Sequence, residues 1–94
     1  MKVEGLIWLE EIEEKLWRKH RVETDEVWEI FEDKPRYWFV EKGNRPGEDV
    51  YLGLGRTEAG RYLSVFFVYK EDRQALIVSA RDMAPAERKR YERK

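Results

Sequence analysis

Apolar positions in the first third of this 94-residue chain recur at helical spacing, and those of the middle recur at strand spacing. Leu9, Ile12 and Leu16 share one face of a helix predicted over residues 10–20, with Trp17 at its edge. Arg18, Lys19 and Arg21 close that helix, where cations offset the negative end of the macrodipole. Val27, Ile30 and Phe31 form the stripe of a second helix ending near Glu32, with Thr24 as its expected N-cap. Asp33-Lys34-Pro35 stops it, because proline disfavours helix at the residue before it. A short strand over residues 2–8 precedes both helices.

Four further strands follow. Residues 36–41 are aromatic and β-branched, and Gly43-Asn44-Arg45-Pro46-Gly47 is a loop. Residues 50–55 alternate Val50, Leu52 and Leu54 with Tyr51 and two glycines. Thr57-Glu58-Ala59-Gly60 is a hairpin turn. Residues 61–69 and 75–80 are apolar on both faces, which predicts two adjacent antiparallel central strands with Phe67 and Ile77 buried. A last helix starts at Pro85 and is polar nearly all round, so it should pack weakly or await a partner. The order predicts one α+β domain over residues 1–94: a strand, two helices, a four-strand antiparallel meander and a C-terminal helix.

Composition narrows the chemistry. The chain has no cysteine and one histidine, which excludes disulfides, thiolate metal sites and His-rich metal sites, so no cofactor is expected. No apolar run reaches the ~20 residues of a membrane span, and no signal-peptide core opens the chain, so a cytoplasmic protein is expected. The abundance of charge and scarcity of Asn and Gln fit a thermophilic source. The net charge of −1 hides an asymmetry: residues 1–32 carry net −5, residues 33–80 net +1 and residues 81–94 net +3. Local basic patches can meet RNA, while the acidic first third suits a basic protein partner. Self-association through that same surface is expected of the isolated chain.

Two cationic clusters stand out. Leu76-Ile77-Val78-Ser79-Ala80 breaks off at Arg81, which the strand behind it would hold ready for a phosphate. Arg18-Lys19-His20-Arg21 closes the first helix. Convergence of the two on one groove would point to RNA. Each member also has a plain structural reading. Arg81 can pair with Glu87, His20 can pack against the helix face of Leu16, and Tyr91 can anchor the last helix. Arg56 and Arg61 can be ordinary surface residues beside the hairpin turn, and Phe66, Phe67 and Tyr69 can be core.

With this order in place the chain resembles the BrnT family of type II toxin–antitoxin toxins, small ribonucleases with a RelE-like fold. The resemblance is carried by Trp8, Lys19-His20, Val27-Trp28-Glu29-Ile30-Phe31 with Asp33, Gly55, Gly60-Arg61 with Leu63 and Val65, Ser79-Ala80-Arg81, Glu87 and Tyr91. It implies metal-independent RNA cleavage, inhibition of translation and neutralisation by a cognate antitoxin. RNA cleavage of this kind drives the 2′-OH onto its own phosphodiester, with a base, an acid and cations around the phosphate. The residues matched to that work are Arg81, Lys19, His20 and Tyr91, with Arg56, Arg61 and Arg18 as RNA contacts. Leu9, Ile12, Leu16, Val50 and Leu76 stand where the family usually has polar residues, and Arg21 stands where it usually has glycine. Those departures favour a second reading, a catalytically silent module that binds an antitoxin or repressor. A third is a stand-alone RNA-binding domain.

Overall fold

The computed structural model describes residues 1–93. The elements run β1 (Gly5–Ile7), α1 (Glu10–His20), α2 (Thr24–Glu32), β2 (Arg36–Glu41), β3 (Val50–Arg56), β4 (Tyr62–Tyr69), β5 (Gln74–Asp82) and α3 (Pro85–Glu92). One sheet of order β1-β5-β4-β3-β2 joins all the strands. The α+β layout is the one the sequence predicts. The central strands β4 and β5 pair antiparallel, and Phe67 and Ile77 are buried. Beyond the predicted meander, β1 adds to the sheet parallel to β5, with Gly5 opposite Gln74 and Ile7 opposite Leu76. It is also shorter than predicted.

Local sequence explains both helix ends of the α1–α2 unit. Arg21 adopts the left-handed conformation at φ 53° after α1. Its N–H donates to Trp17 O at 3.0 Å, and the Val22 N–H donates to Leu16 O at 3.2 Å, so the last turn closes on its own carbonyls. Val22, carried inward by that turn, is buried beside Leu16. The N-cap of α2 is Glu23, not the expected Thr24. The Glu26 carboxylate, three residues on, accepts from the Glu23 N–H at 3.0 Å, the backward-reaching bond of a capping box.

The sheet is coated on both faces. Leu16, Val22, Val27 and Ile30 of the α1–α2 unit pack on Leu63, Val65, Phe67, Ala75, Ile77 and Ala80. Phe31, Tyr37 and Phe67 add edge and stacked aromatic contacts on this side. Gly55 allows α2 to come this close, since a Cβ there would lie 2.7 Å from Ile30 Cγ2. Strand alternation turns Leu54, Ser64 and Arg81 to the other face, where α3 lies. A register shift between Phe66 and Phe67 marks a bulge at Val78, and the strand then delivers Arg81 to the α3 side.

Candidate functional site

Arg81 sits opposite Ser64 near the end of β5, the strand end that feeds α3. Its Nη1 and Nη2 donate to the two oxygens of Glu87 at 2.6 and 2.8 Å, and Nη1 also reaches Asp82 O at 3.2 Å. Glu87 is the third residue of α3, which Pro85 starts. Its carboxylate also accepts from Ser64 Oγ and from the Ala84 N–H, each at 2.8 Å. Burial pushes the Glu87 carboxyl up, but the bonds from Arg81, Ala84 and Ser64 outweigh it and bring it down to about 2. Glu87 is therefore a fixed anion that orients Arg81, and the same pairing raises Arg81 above its usual range. The guanidinium lies 5.5 Å over the Phe66 ring. Its Nε–H has no acceptor among the described residues, so this held cation keeps donors to spare.

A second group centres on Tyr62. The Arg88 guanidinium lies 3.8 Å over its ring and Arg56 lies 5.7 Å from it. Tyr91 meets the same ring edge-on, with centroids 6.0 Å apart. Nearer the sheet edge, Arg90 lies 5.1 Å over Trp38, and the Arg36 guanidinium donates to the Arg93 carbonyl. The structure thus gathers Arg81, Tyr91 and Arg56 on one face. It adds Arg88, Arg90, Tyr62 and Trp38, which sequence reasoning passed over. The available signal was the net charge of +3 in the last segment. Helical periodicity found no apolar stripe there, because α3 packs through arginine–aromatic stacking and buries no residue.

The other candidates lie elsewhere. Arg61 donates from Nε to Asp82 at 2.8 Å, from Nη1 to Arg21 O at 2.7 Å and to Glu26 at 3.1 Å, and from Nη2 to His20 O at 2.7 Å. With Nη2 also 3.4 Å from Asp82 Oδ2, its donors are spent on the last carbonyls of α1 and on two carboxylates. It staples the α1–α2 turn to the sheet. Its bond to Asp82 holds that carboxyl below its usual range despite partial burial, and the charge of His20 adds to the effect. His20 is half-buried near Asp82, while Arg18 and Lys19 are exposed on α1. Lys19-His20 and Arg81 therefore share one end of the sheet but stand on opposite faces of it. The expected single groove with Lys19 and Arg81 is not formed.

The family's sequence model, described as a ribonuclease toxin, BrnT, of type II toxin–antitoxin systems, matches residues 8–87. The chain belongs to the BrnT family. No curated protein matches it. Membership brings an RNA target and an antitoxin partner. Among the described residues no helix is long and apolar enough to cross a membrane.

The departures from the BrnT pattern acquire physical meaning on this fold. Leu16 is buried, Ile12 packs against the core, and Leu9 is an N-cap that makes no side-chain bond. These three belong to the helical coat, remote from Arg81. Arg21 occupies the left-handed position that glycine fills without strain. Val50 and Leu76 both stand opposite Val68, on the same face as Arg81 but towards the other end of the strands. Their apolar character confines the basic surface to the α3 end.

Proposed function

We propose that this chain is a metal-independent endoribonuclease toxin of a type II toxin–antitoxin system, whose phosphate site is the α3 face and whose activity a cognate antitoxin restrains in the cytoplasm. The observation that carries the reading is Arg81, held by both Glu87 oxygens yet keeping a donor free. Such a cation meets charge developing on a phosphorane without first having to reorganise. Arg56 and Arg88 would neutralise the neighbouring phosphates. As the 2′-oxygen bonds to phosphorus its proton passes to water, the P–O5′ bond breaks, and Tyr91, one turn beyond Glu87, is assigned the proton that the leaving 5′-oxygen takes up. Glu87, ionised throughout the physiological range, positions and does not exchange protons. Lys19 and Arg18, exposed round the end of β5, steer the strand. His20, beside Asp82, joins the proton transfers only where RNA passes that strand end. Among the described residues no three His, Asp or Glu side chains come together to hold a metal ion.

The test is cleavage of a defined RNA in excess chelator. The wild-type chain should remain active, and Arg81→Ala should lower the rate by roughly a hundred- to a thousand-fold. Arg81→Lys should not restore it, because a single ammonium cannot hold Glu87 with both oxygens and present a further donor. Loss of activity in chelator would overturn metal independence, and full activity in Arg81→Ala would overturn the site. The closed Arg81–Glu87 pair also supports the reading as a silent antitoxin-binding module. That reading requires no cleavage by the wild type and a stability loss as the sole effect of Arg81→Ala.

A further inference from the structure

On the face opposite Arg81, α2 and the β3–β4 hairpin enclose a cleft of about 570 Å³. Asp25, Glu29, Glu32, Asp33 and Glu58 surround Trp28 there, and Arg56 is the one cation in its lining. None of these five carboxylates forms an ion pair among the described residues, since the acids that do are Glu26, Asp82, Glu87 and Glu92. Trp28 is 37% exposed, although its neighbours Val27 and Ile30 are buried. The cleft does not end at Trp28. A second depression, lined by Trp28, Asp25, Trp8 and Glu13, continues it, and a third carries it past Glu13 and Asp25 to Trp17. The α1–α2 unit thus presents a track in which the exposed indoles of Trp17 and Trp28, with the partly buried Trp8 beside them, are set among carboxylates that form no ion pair among the described residues.

Part of this pattern serves the fold, since Glu29 Oε1 accepts from the Glu58 N–H at 3.0 Å and Asp25 sits in the first turn of α2; the exposed tryptophans and the remaining like charges do not. An exposed tryptophan gains little from burial, and uncompensated like charges repel. Together they describe the complement of a guanidinium or ammonium group, which gains from a ring face and a carboxylate at once. The molecule already shows this contact in miniature, with the Arg21 guanidinium 5.1 Å over Trp17. RNA is repelled by such a surface, so its occupant is a protein.

We propose that the α1–α2 track is the docking surface for an arginine- or lysine-rich segment of the antitoxin, with Trp28 as its central anchor. This rests on the toxin–antitoxin reading and adds to it where the partner binds and by what chemistry. It carries a consequence. The anchor lies across the sheet from Arg81, so the docked segment meets the arginine face only at Arg56, which also lines the cleft, and by itself leaves Arg81 open. Holding the toxin and blocking its site are then separate tasks, assigned to different parts of the antitoxin.

The test uses the cognate antitoxin as probe, with its affinity measured by calorimetry at low and high salt. Asp25→Lys combined with Glu32→Lys, both exposed positions, should weaken binding by about tenfold or more at low salt and by less at high salt. Trp28→Ala should weaken it roughly thirty-fold, the loss typical of an interface anchor. Lys42→Gln, exposed on the loop after β2 and away from both surfaces, should leave it unchanged. If Trp28→Ala fails to fold, the charge-reversal pair decides. Unaltered affinity in that pair, or hydrogen-exchange protection confined to α3, would overturn the proposal. So would a wild-type oligomer that the pair dissolves while antitoxin affinity stays the same, since the occupant would then be a second copy. RNA cleavage by the free chain is scored separately: a chain that docks but does not cleave defeats the ribonuclease reading alone, and one that cleaves without using the track defeats this one alone.

Discussion

The two coats of the sheet are held by different forces. The α1–α2 unit contributes Leu16, Val22, Val27 and Ile30 to a dry core, and Arg61 pins its turn with every donor engaged. The α3 coat buries none of its own residues and is fastened by the Arg81–Glu87 pair and by guanidinium–aromatic stacking. Outward charge follows the same division, acidic over the helical pair and basic over α3. The lesson lies in the two arginines. Arg61 has every donor engaged within the fold, whereas Arg81 is held chiefly by one carboxylate and keeps its Nε–H for something else. Arginine at a strand end does not itself announce a site; the number of donors left over does.

The sharpest break of this comparison is a cavity in the dry coat. Ile30→Ala should cost about 3 kcal/mol, near the middle of the range for core truncations. It should lower the urea midpoint strongly, while cleavage per folded molecule stays the same. Arg61→Ala comes next, at about 2 kcal/mol, because it strips the α1 carbonyls and leaves Glu26 and Asp82 without their cation. Its signature is lost hydrogen-exchange protection at the α1–α2 turn with RNA affinity intact. A matching loss of RNA affinity would make Arg61 a contact after all.

Acid should loosen the α3 coat first. The folded Glu87 carboxyl lies at about 2 against an ordinary 4.5. Depression in the folded state means the stabilisation is fully present above about 4.5 and is lost as pH falls towards about 2. Urea unfolding across that window should show the loss, and Glu87→Gln should flatten it. An unchanged slope in the variant would mean that another carboxylate governs the acid limb. The smallest effect has the opposite sign. Arg21→Gly should stabilise by about 0.5–1 kcal/mol through relief of the left-handed residue after α1. The gain is reduced by loss of the Arg21–Trp17 stacking, and a lower thermal midpoint would show that the stacking outweighs the strain.

Much of this architecture is written locally. The spacing of Leu9, Ile12 and Leu16, and of Val27, Ile30 and Phe31, specifies both helices to within a residue. The unbroken apolar runs around Phe67 and Ile77 mark the two central strands, because a strand covered on both faces needs apolar residues at every position. The motifs from Trp8 to Glu87 suffice for the family. Other features have no local signature. The parallel pairing of β1 to β5 depends on where the α1–α2 unit returns the chain. The packing of α3 rests on cation–π contacts with Tyr62 and Trp38, which leave no hydrophobic stripe to read.

The fate of the candidate cations followed from a single parity. Asp82 faces the helices with Ala80, and Arg81, one residue earlier, faces α3; strand alternation therefore parts Arg81 from Lys19 and His20 although all three reach the same end of the sheet. Residue types and their order foretold which groups carry chemistry. Which of them meet was set by the sheet, whose two faces are impermeable to side chains and whose bulge at Val78 determines the face that receives the arginine.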